Sequence, residues 1–227
     1  MGYASIDEIA AAAKEWDFIK NLPAQIGDFK KTEPGTIEGK ILTICSYYDA
    51  ETNAGADIIY TSETFDYILV RKIGMNIYRD IRYIYKEKDE FAKKVKEALP
   101  KILAETTDPT KVNLGEMVAD KKILTWEYGN NLPEKIGKFT LYIKPAHAID
   151  YLNGSIIMLD YSDFAHQDQF VIYYNRFREE FFGEVKIGSV FHATKAYDSK
   201  TLAALEKKLK TKLTATLEKI SKADHSI

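Results

Sequence analysis

The sequence predicts an α+β protein made of two tandem repeats of about 110 residues, each a helix, an antiparallel β-meander and a second helix, with the copies related by a pseudo-two-fold. Three observations carry that expectation. The segment WDFIKNLPAQIGDF, Trp16 to Phe29, returns as WEYGNNLPEKIGKF, Trp126 to Phe139, with seven of 14 positions identical at a constant offset of 110. Further anchors recur in the same order: Gly39-Lys40-Ile41-Leu42 with Gly154-Ser155-Ile156-Ile157, Ile58-Ile59-Tyr60 with Val171-Ile172-Tyr173, and Lys72-Ile73-Gly74 with Lys186-Ile187-Gly188. Between these anchors lie short runs of alternating polar and apolar residues bounded by turn formers, the pattern of hairpin-linked strands. The expected domains are residues 1–110 and 111–227, joined by Thr106-Thr107-Asp108-Pro109-Thr110.

Each copy opens with a helix. Ser5-Ile6-Asp7-Glu8 and Asn113-Leu114-Gly115-Glu116 both have capping-box spacing. In the first copy Ile6, Ile9, Ala13 and Trp16 form one stripe, and the helix is expected to run to about Asn21, because Pro23 disfavours helical backbone in Leu22. Gly27 and Gly137 then turn the chain into the sheet. Strands are expected at 40–47, 57–61, 65–72 and 77–85, and in the second copy at 139–143, 155–159, 169–174, 181–187 and 190–196. The fourth strand should place Ile77, Ile81, Tyr83 and Tyr85 on one face and Asp80 and Arg82 on the other. A helix closes each copy. Asp89 is positioned to cap the first, with Phe91, Val95, Leu99, Ile102 and Leu103 as its stripe and Pro100 expected to kink or divide it. Ser199 is positioned to cap the second, whose stripe is Leu202, Leu205, Leu209, Leu213, Leu217 and Ile220.

Composition narrows the function classes. With 45% hydrophobic and 29% charged residues, collagen-like, mucin-like and wholly disordered readings are excluded. A formal charge of -2 provides no field to attract nucleic acid or an anionic membrane, so neither partner is expected. Tandem α+β repeats can form DNA-binding saddles, but the acidic balance and few arginines count against that reading. The lysines of the last helix, among them Lys207, Lys208, Lys210 and Lys212, read as a solvated face. Cys45, the sole cysteine, sits in the apolar run Ile41 to Cys45 and reads as a small buried hydrophobe. The N-terminus lacks the charged and apolar regions of a secretory signal, and no apolar run approaches the ~20 residues of a membrane span, so a cytoplasmic protein is expected.

Candidate chemistry lies where the copies differ. The repeated Trp-to-Phe segment contains no nucleophile, ligand set or phosphate loop, and reads as packing plus a turn. Asp160-Tyr161-Ser162-Asp163-Phe164-Ala165-His166-Gln167-Asp168 places Asp160, Asp163, His166 and Asp168 within nine residues, donors suited to a divalent metal, or else an ordinary polar hairpin loop. Downstream lies the segment Tyr173 to Phe182, in which Arg176 and Arg178 could grip an anion while its aromatics, Tyr174 among them, stack on a planar ligand; the alternative is a strand whose charges pair with Glu179 and Glu180 and whose aromatics fill the core. His147, His166, His192 and His225 show no ligand spacing, and no nucleophile-elbow, zinc-protease or P-loop motif occurs. The expectation is a non-catalytic scaffold binding a small molecule or protein, without a cofactor. Its alternative is a metal-assisted hydrolase built on the Asp160–Asp168 loop.

Overall fold

The alternating runs close into two antiparallel sheets of seven strands each, and in both sheets a 20-residue helix covers one face. A computed structural model describes residues 5–107 and 114–223, and the chain divides into units Met1–Asp108 and Pro109–Ile227. The first unit runs α1 (Ile6–Lys14), α2 (Asp17–Lys20), β1 (Gln25–Ile26), β2 (Phe29–Thr32), β3 (Thr36–Glu38), β4 (Ile41–Asp49), β5 (Ala54–Thr61), β6 (Asp66–Ile73), β7 (Asn76–Tyr85) and α3 (Lys88–Thr107). The second runs α4 (Glu116–Asp120), α5 (Glu127–Asn130), β8 (Lys135–Ile136), β9 (Phe139–Ile143), β10 (Ile149–Asp150), β11 (Ser155–Asp163), β12 (Asp168–Asn175), β13 (Glu180–Ile187), β14 (Val190–Ser199) and α6 (Leu202–Ser221).

The first sheet has the order β1-β2-β4-β5-β6-β7, with β3 on β4; the second has β8-β9-β11-β12-β13-β14, with β10 on β11. Their registers coincide at an offset of 114 residues. Asp49 opposes Ala54 as Asp163 opposes Asp168, and Tyr67 opposes Tyr85 as Phe181 opposes Ser199. The irregularities coincide too. A bulge between Thr43 and Cys45 has its counterpart between Ile157 and Leu159. In each unit a tyrosine hydroxyl ties the sheet to the chain preceding it: Tyr47 donates to the Pro23 carbonyl, and Tyr161 to the Pro133 carbonyl at 2.6 Å.

The helix-side cores explain the apolar stripes. Phe91, Val95, Leu99, Ile102 and Leu103 of α3 pack with Trp16, Ile19, Tyr47, Ile58 and Leu69. In the second unit Leu205, Leu209, Leu213, Leu217 and Ile220 of α6 pack with Trp126, Tyr161, Phe170, Ile172, Phe181 and Tyr197.

Several expectations are corrected. The opening helix breaks at Trp16, which is extended (ψ 108°) and caps α2; Trp126 does the same for α5 (ψ 102°). The break lowers the indole into the core, where Trp16 meets Tyr67 at 5.5 Å and Phe91 at 6.4 Å. Pro100 does not divide α3. It is exposed, so the carbonyl one turn back that it leaves unbonded can be hydrated. Asp89 sits within the first turn of α3, where its charge suits the helix dipole, and not at the cap. Thr201, not Ser199, caps α6 by accepting from the Ala204 amide, because β14 extends through Ser199. Asn113 and residues 108–110 of the expected linker lie outside the described residues.

On β7 the expected face is inverted at its start. Asn76, Tyr78 and Asp80 are buried, whereas Ile77 and Ile81 are 59% and 77% exposed. Val70 pairs with Arg79 but Ile68 pairs with Ile84, so β7 holds extra residues that reset the alternation and return Tyr83 and Tyr85 to the core. No helix among the described residues is long and apolar enough to cross a membrane.

Gly55 marks the closest approach in the first sheet: a Cβ there would stand 2.1 Å from the Tyr47 carbonyl oxygen. Gly55→Ala is expected to destabilise the chain by about 2 kcal/mol through backbone displacement, and Tyr161→Phe by about 1 kcal/mol through its lost hydrogen bond. Urea midpoints of the two variants, measured side by side, check both the sizes and their order.

Candidate functional site

The Asp160–Asp168 segment is mostly strand. Asp160, Ser162 and Asp163 belong to β11 and Asp168 opens β12. Asp160 is fully buried and accepts from the Ser162 hydroxyl and the Gln169 amide, both at 2.7 Å. Asp163 accepts from the Ala165 amide at 3.1 Å and meets His166 Nδ1 at 2.7 Å. Asp168 accepts from the Gly188 amide at 3.0 Å. The four candidates are thus committed to three separate local tasks. Among the described residues no group of three or more His, Cys, Asp or Glu is placed to hold a metal ion. The first unit supplies the reason: Asp49 accepts from the Glu51 amide at 3.0 Å and from the Thr52 hydroxyl at 2.5 Å. Asp163 and His166 close the same turn at the same register.

Arg176, Arg178 and Tyr174 also part company. Residues 176–179 form the tight turn between β12 and β13, not the ladder of a continuous strand. Arg176 pairs with Asp150. Tyr174 faces the helix side, 5.0 Å from Phe181, and belongs to the core. Arg178 pairs with Glu180 at 3.1 Å and lies over the Phe182 ring at 4.9 Å.

Arg178 also lines a cleft of about 490 Å³ whose walls are Tyr151, Tyr173, Phe182 and Phe191 and whose polar groups include Ser155, Asn175 and Glu184. Tyr173 and Phe182 are stacked, with centroids 4.9 Å apart and planes at 16°; Tyr151 lies 5.7 Å from Tyr173. Asn175 fixes the floor. Its amide donates to Ser155 Oγ at 3.0 Å and to the Asn153 carbonyl at 3.1 Å, and its oxygen accepts from the Phe177 and Arg178 amides. Tyr173 is 1% exposed and its hydroxyl has no hydrogen-bond partner of good geometry, although Glu184 stands beside it. Burial first, then Glu184 and Tyr151, push that phenol far above the ordinary tyrosine range. Lys186 lies over Phe191 at 4.6 Å, and burial draws its pKa down against the opposing pull of Asp160 and Glu184.

No family model, curated protein or solved structure matches the chain.

The first unit is therefore the available comparison. At the register positions of Ser155, Tyr173, Phe182 and Glu184 it carries Ile41, Ile59, Ile68 and Val70, which pack together as a small aliphatic cluster. Ile77 stands where the second unit has Phe191. The candidate segment Tyr173–Phe182 contains Tyr173, Asn175, Arg178 and Phe182 of this cleft, but not Tyr151, Ser155, Glu184 or Phe191. The recurring anchors could have pointed to the rest, but two of them, Gly39 with Gly154 and Ile58 with Val171, are each one residue out of register. A one-residue slip exchanges the faces of a strand and hides the substitution.

A larger cleft, about 850 Å³, opens between α6 and the β13–β14 hairpin, with Val185, Ile187, Ala193, Ala196, Ala215 and Ile220 among its walls. Where it opens, the first unit has longer side chains in contact: Arg71 over Tyr78 at 5.8 Å and on Thr106 at 3.3 Å, and Arg82 on Asp80 at 2.6 Å. Val185, His192, Thr194 and Ala196 occupy the positions of Arg71, Tyr78, Asp80 and Arg82. This cleft has room, and His192, Thr194, Glu218, Lys219 and Lys222 also line it; Thr216 is engaged with Tyr197 at 2.6 Å.

Two outcomes follow. Cys45 is fully buried, and burial pushes its thiol up to about 12, so it stays protonated and is expected to resist iodoacetamide at pH 8 until denaturant unfolds the chain. Labelling of native and urea-unfolded protein, read by mass, checks this. Asp163→Ala and Asp49→Ala are each expected to cost about 1 kcal/mol by loss of a turn-closing carboxylate. Melting curves with and without chelator should coincide for both variants.

Proposed function

We propose that the chain is a non-catalytic small-molecule-binding protein built by internal duplication, with the second unit carrying the ligand site and the first retaining the packed form of the same scaffold. Duplication is supported at two levels: seven identities in the 14-residue repeat, and a strand order, register and bulge position shared by both sheets. The observation that carries the site is the exchange of Ile41, Ile59, Ile68 and Val70 for Ser155, Tyr173, Phe182 and Glu184. An aliphatic cluster that fills space has become an open cleft walled by rings.

The cleft has the attributes of a binding site. Stacked rings present preformed apolar surface, and burying ligand area against them contributes about 25 cal/mol per Å². Asn175 spends all its hydrogen bonds on holding the hairpin, so the walls are set before a ligand arrives. The hydrolase alternative loses its footing, because Asp160, Asp163, His166 and Asp168 serve separate structural roles.

The test is a small-molecule screen by amide chemical shifts on the full chain, spanning aromatic, cationic, anionic and sugar fragments. The expected hits move amides of β12–β14, raise the melting temperature, and lose affinity by about tenfold or more in Phe182→Ala. Hits confined to other surfaces, or unaffected by Phe182→Ala, would refute the proposal.

A further inference from the structure

Resting on that reading, we infer that the aromatic cleft of the second unit takes an organic cation: a substituted ammonium whose charge is met by Glu184 and whose alkyl groups lie against Tyr151, Phe182 and Phe191. Aromatic faces carry the negative side of the ring quadrupole and attract cations, most strongly where water is excluded. The cleft assembles several such faces around a half-buried carboxylate, at a position where the first unit has Val70. A carboxylate placed among rings costs desolvation energy that a counter-charge recovers. Glu184 stands beside the Tyr173 hydroxyl and within the pull of Lys186.

The rings around this cleft already hold cations. Lys186 lies over Phe191 at 4.6 Å and Arg178 over Phe182 at 4.9 Å. Arg178 is paired with Glu180 at 3.1 Å, and Lys186 divides its charge between Asp160 and Glu184, so Glu184 holds only a share of one cation. An anion would face Glu184 directly, and a neutral ring would gain nothing from its charge. The larger cleft beside α6 has Glu218 among its walls, but Lys219 and Lys222 line it too and it has no Phe, Tyr or Trp face.

Choline and its uncharged isostere 3,3-dimethylbutan-1-ol separate charge recognition from simple filling of the cleft. With the full chain at fixed ionic strength, choline is expected to move amides of β12–β14 and to bind at least roughly tenfold more tightly than the alcohol. Glu184→Gln should weaken choline by about the same factor while leaving the alcohol unchanged. Glu184→Val, which restores the residue found in the first unit, is the second variant should the glutamine disturb folding. Equal affinity of the two probes, or unchanged choline affinity in a folded Glu184 variant, overturns the cation assignment. Capture of only neutral or anionic fragments in the cleft also overturns it, while leaving the binding reading intact. If no fragment of any class binds there, the binding reading itself falls.

Discussion

Laying a 20-residue amphipathic helix across one face of a seven-stranded antiparallel sheet is the contact on which the rest of each unit depends. The five apolar side chains of α3, from Phe91 to Leu103, and the five of α6, from Leu205 to Ile220, are all buried, and they fix which residues of each strand face inward. Alternation then leaves the other face of the sheet with no helix to pack against. The Tyr47 and Tyr161 hydroxyls, the Trp16 and Trp126 breaks and the shared bulges all serve the helix-side face. Because that face holds the fold, the opposite one is free to change. The first unit fills it with Ile59, Ile68 and Val70; the second sets Tyr173, Phe182 and Glu184 there.

The bulged edge strands show the same division at finer scale. Extra residues in β7 reset its alternation, so Tyr78 and Asp80 turn inward beside Arg71 while Tyr83 and Tyr85 rejoin the core. The equivalent irregularity in β14 brings smaller side chains to the same place, and a cleft opens beside α6. Identical backbone devices therefore present a packed polar junction in one unit and an apolar hollow in the other. Side-chain volume at four register positions makes the difference.

The long strands β4–β7, β9 and β11–β14 and the burial of Cys45 were legible from the chain alone, because period-two patterns mark strands, whereas the short β1, β2, β3, β8 and β10 were not. The helix break at Trp16 was not, since local spacing favours continuing the stripe and only packing against Tyr67 and Phe91 breaks it. Pro100 misled for the complementary reason: its exposed position lets solvent satisfy the carbonyl that a proline leaves unbonded. The acidic loop read two ways because Asp, Ser and His close turns as readily as they bind metals; Asp49 with Thr52 closes a turn at the same register in the first unit. The aromatic cleft was obscured by register. Its residues lie on four sequence segments, from Tyr151 to Phe191, and they converge only when the β11–β14 pairing is known.

On the proposed reading, the cleft is a specialisation laid over a scaffold that does not need it. The triple variant Tyr173→Ile, Phe182→Ile, Glu184→Val writes the first unit's residues into the second, and its urea unfolding curve and cleft-ligand affinity are the measurement of choice. The account predicts a cooperative transition with a midpoint near the wild type and no detectable binding in the cleft. A variant that fails to fold, or one that folds and binds as before, would contradict it.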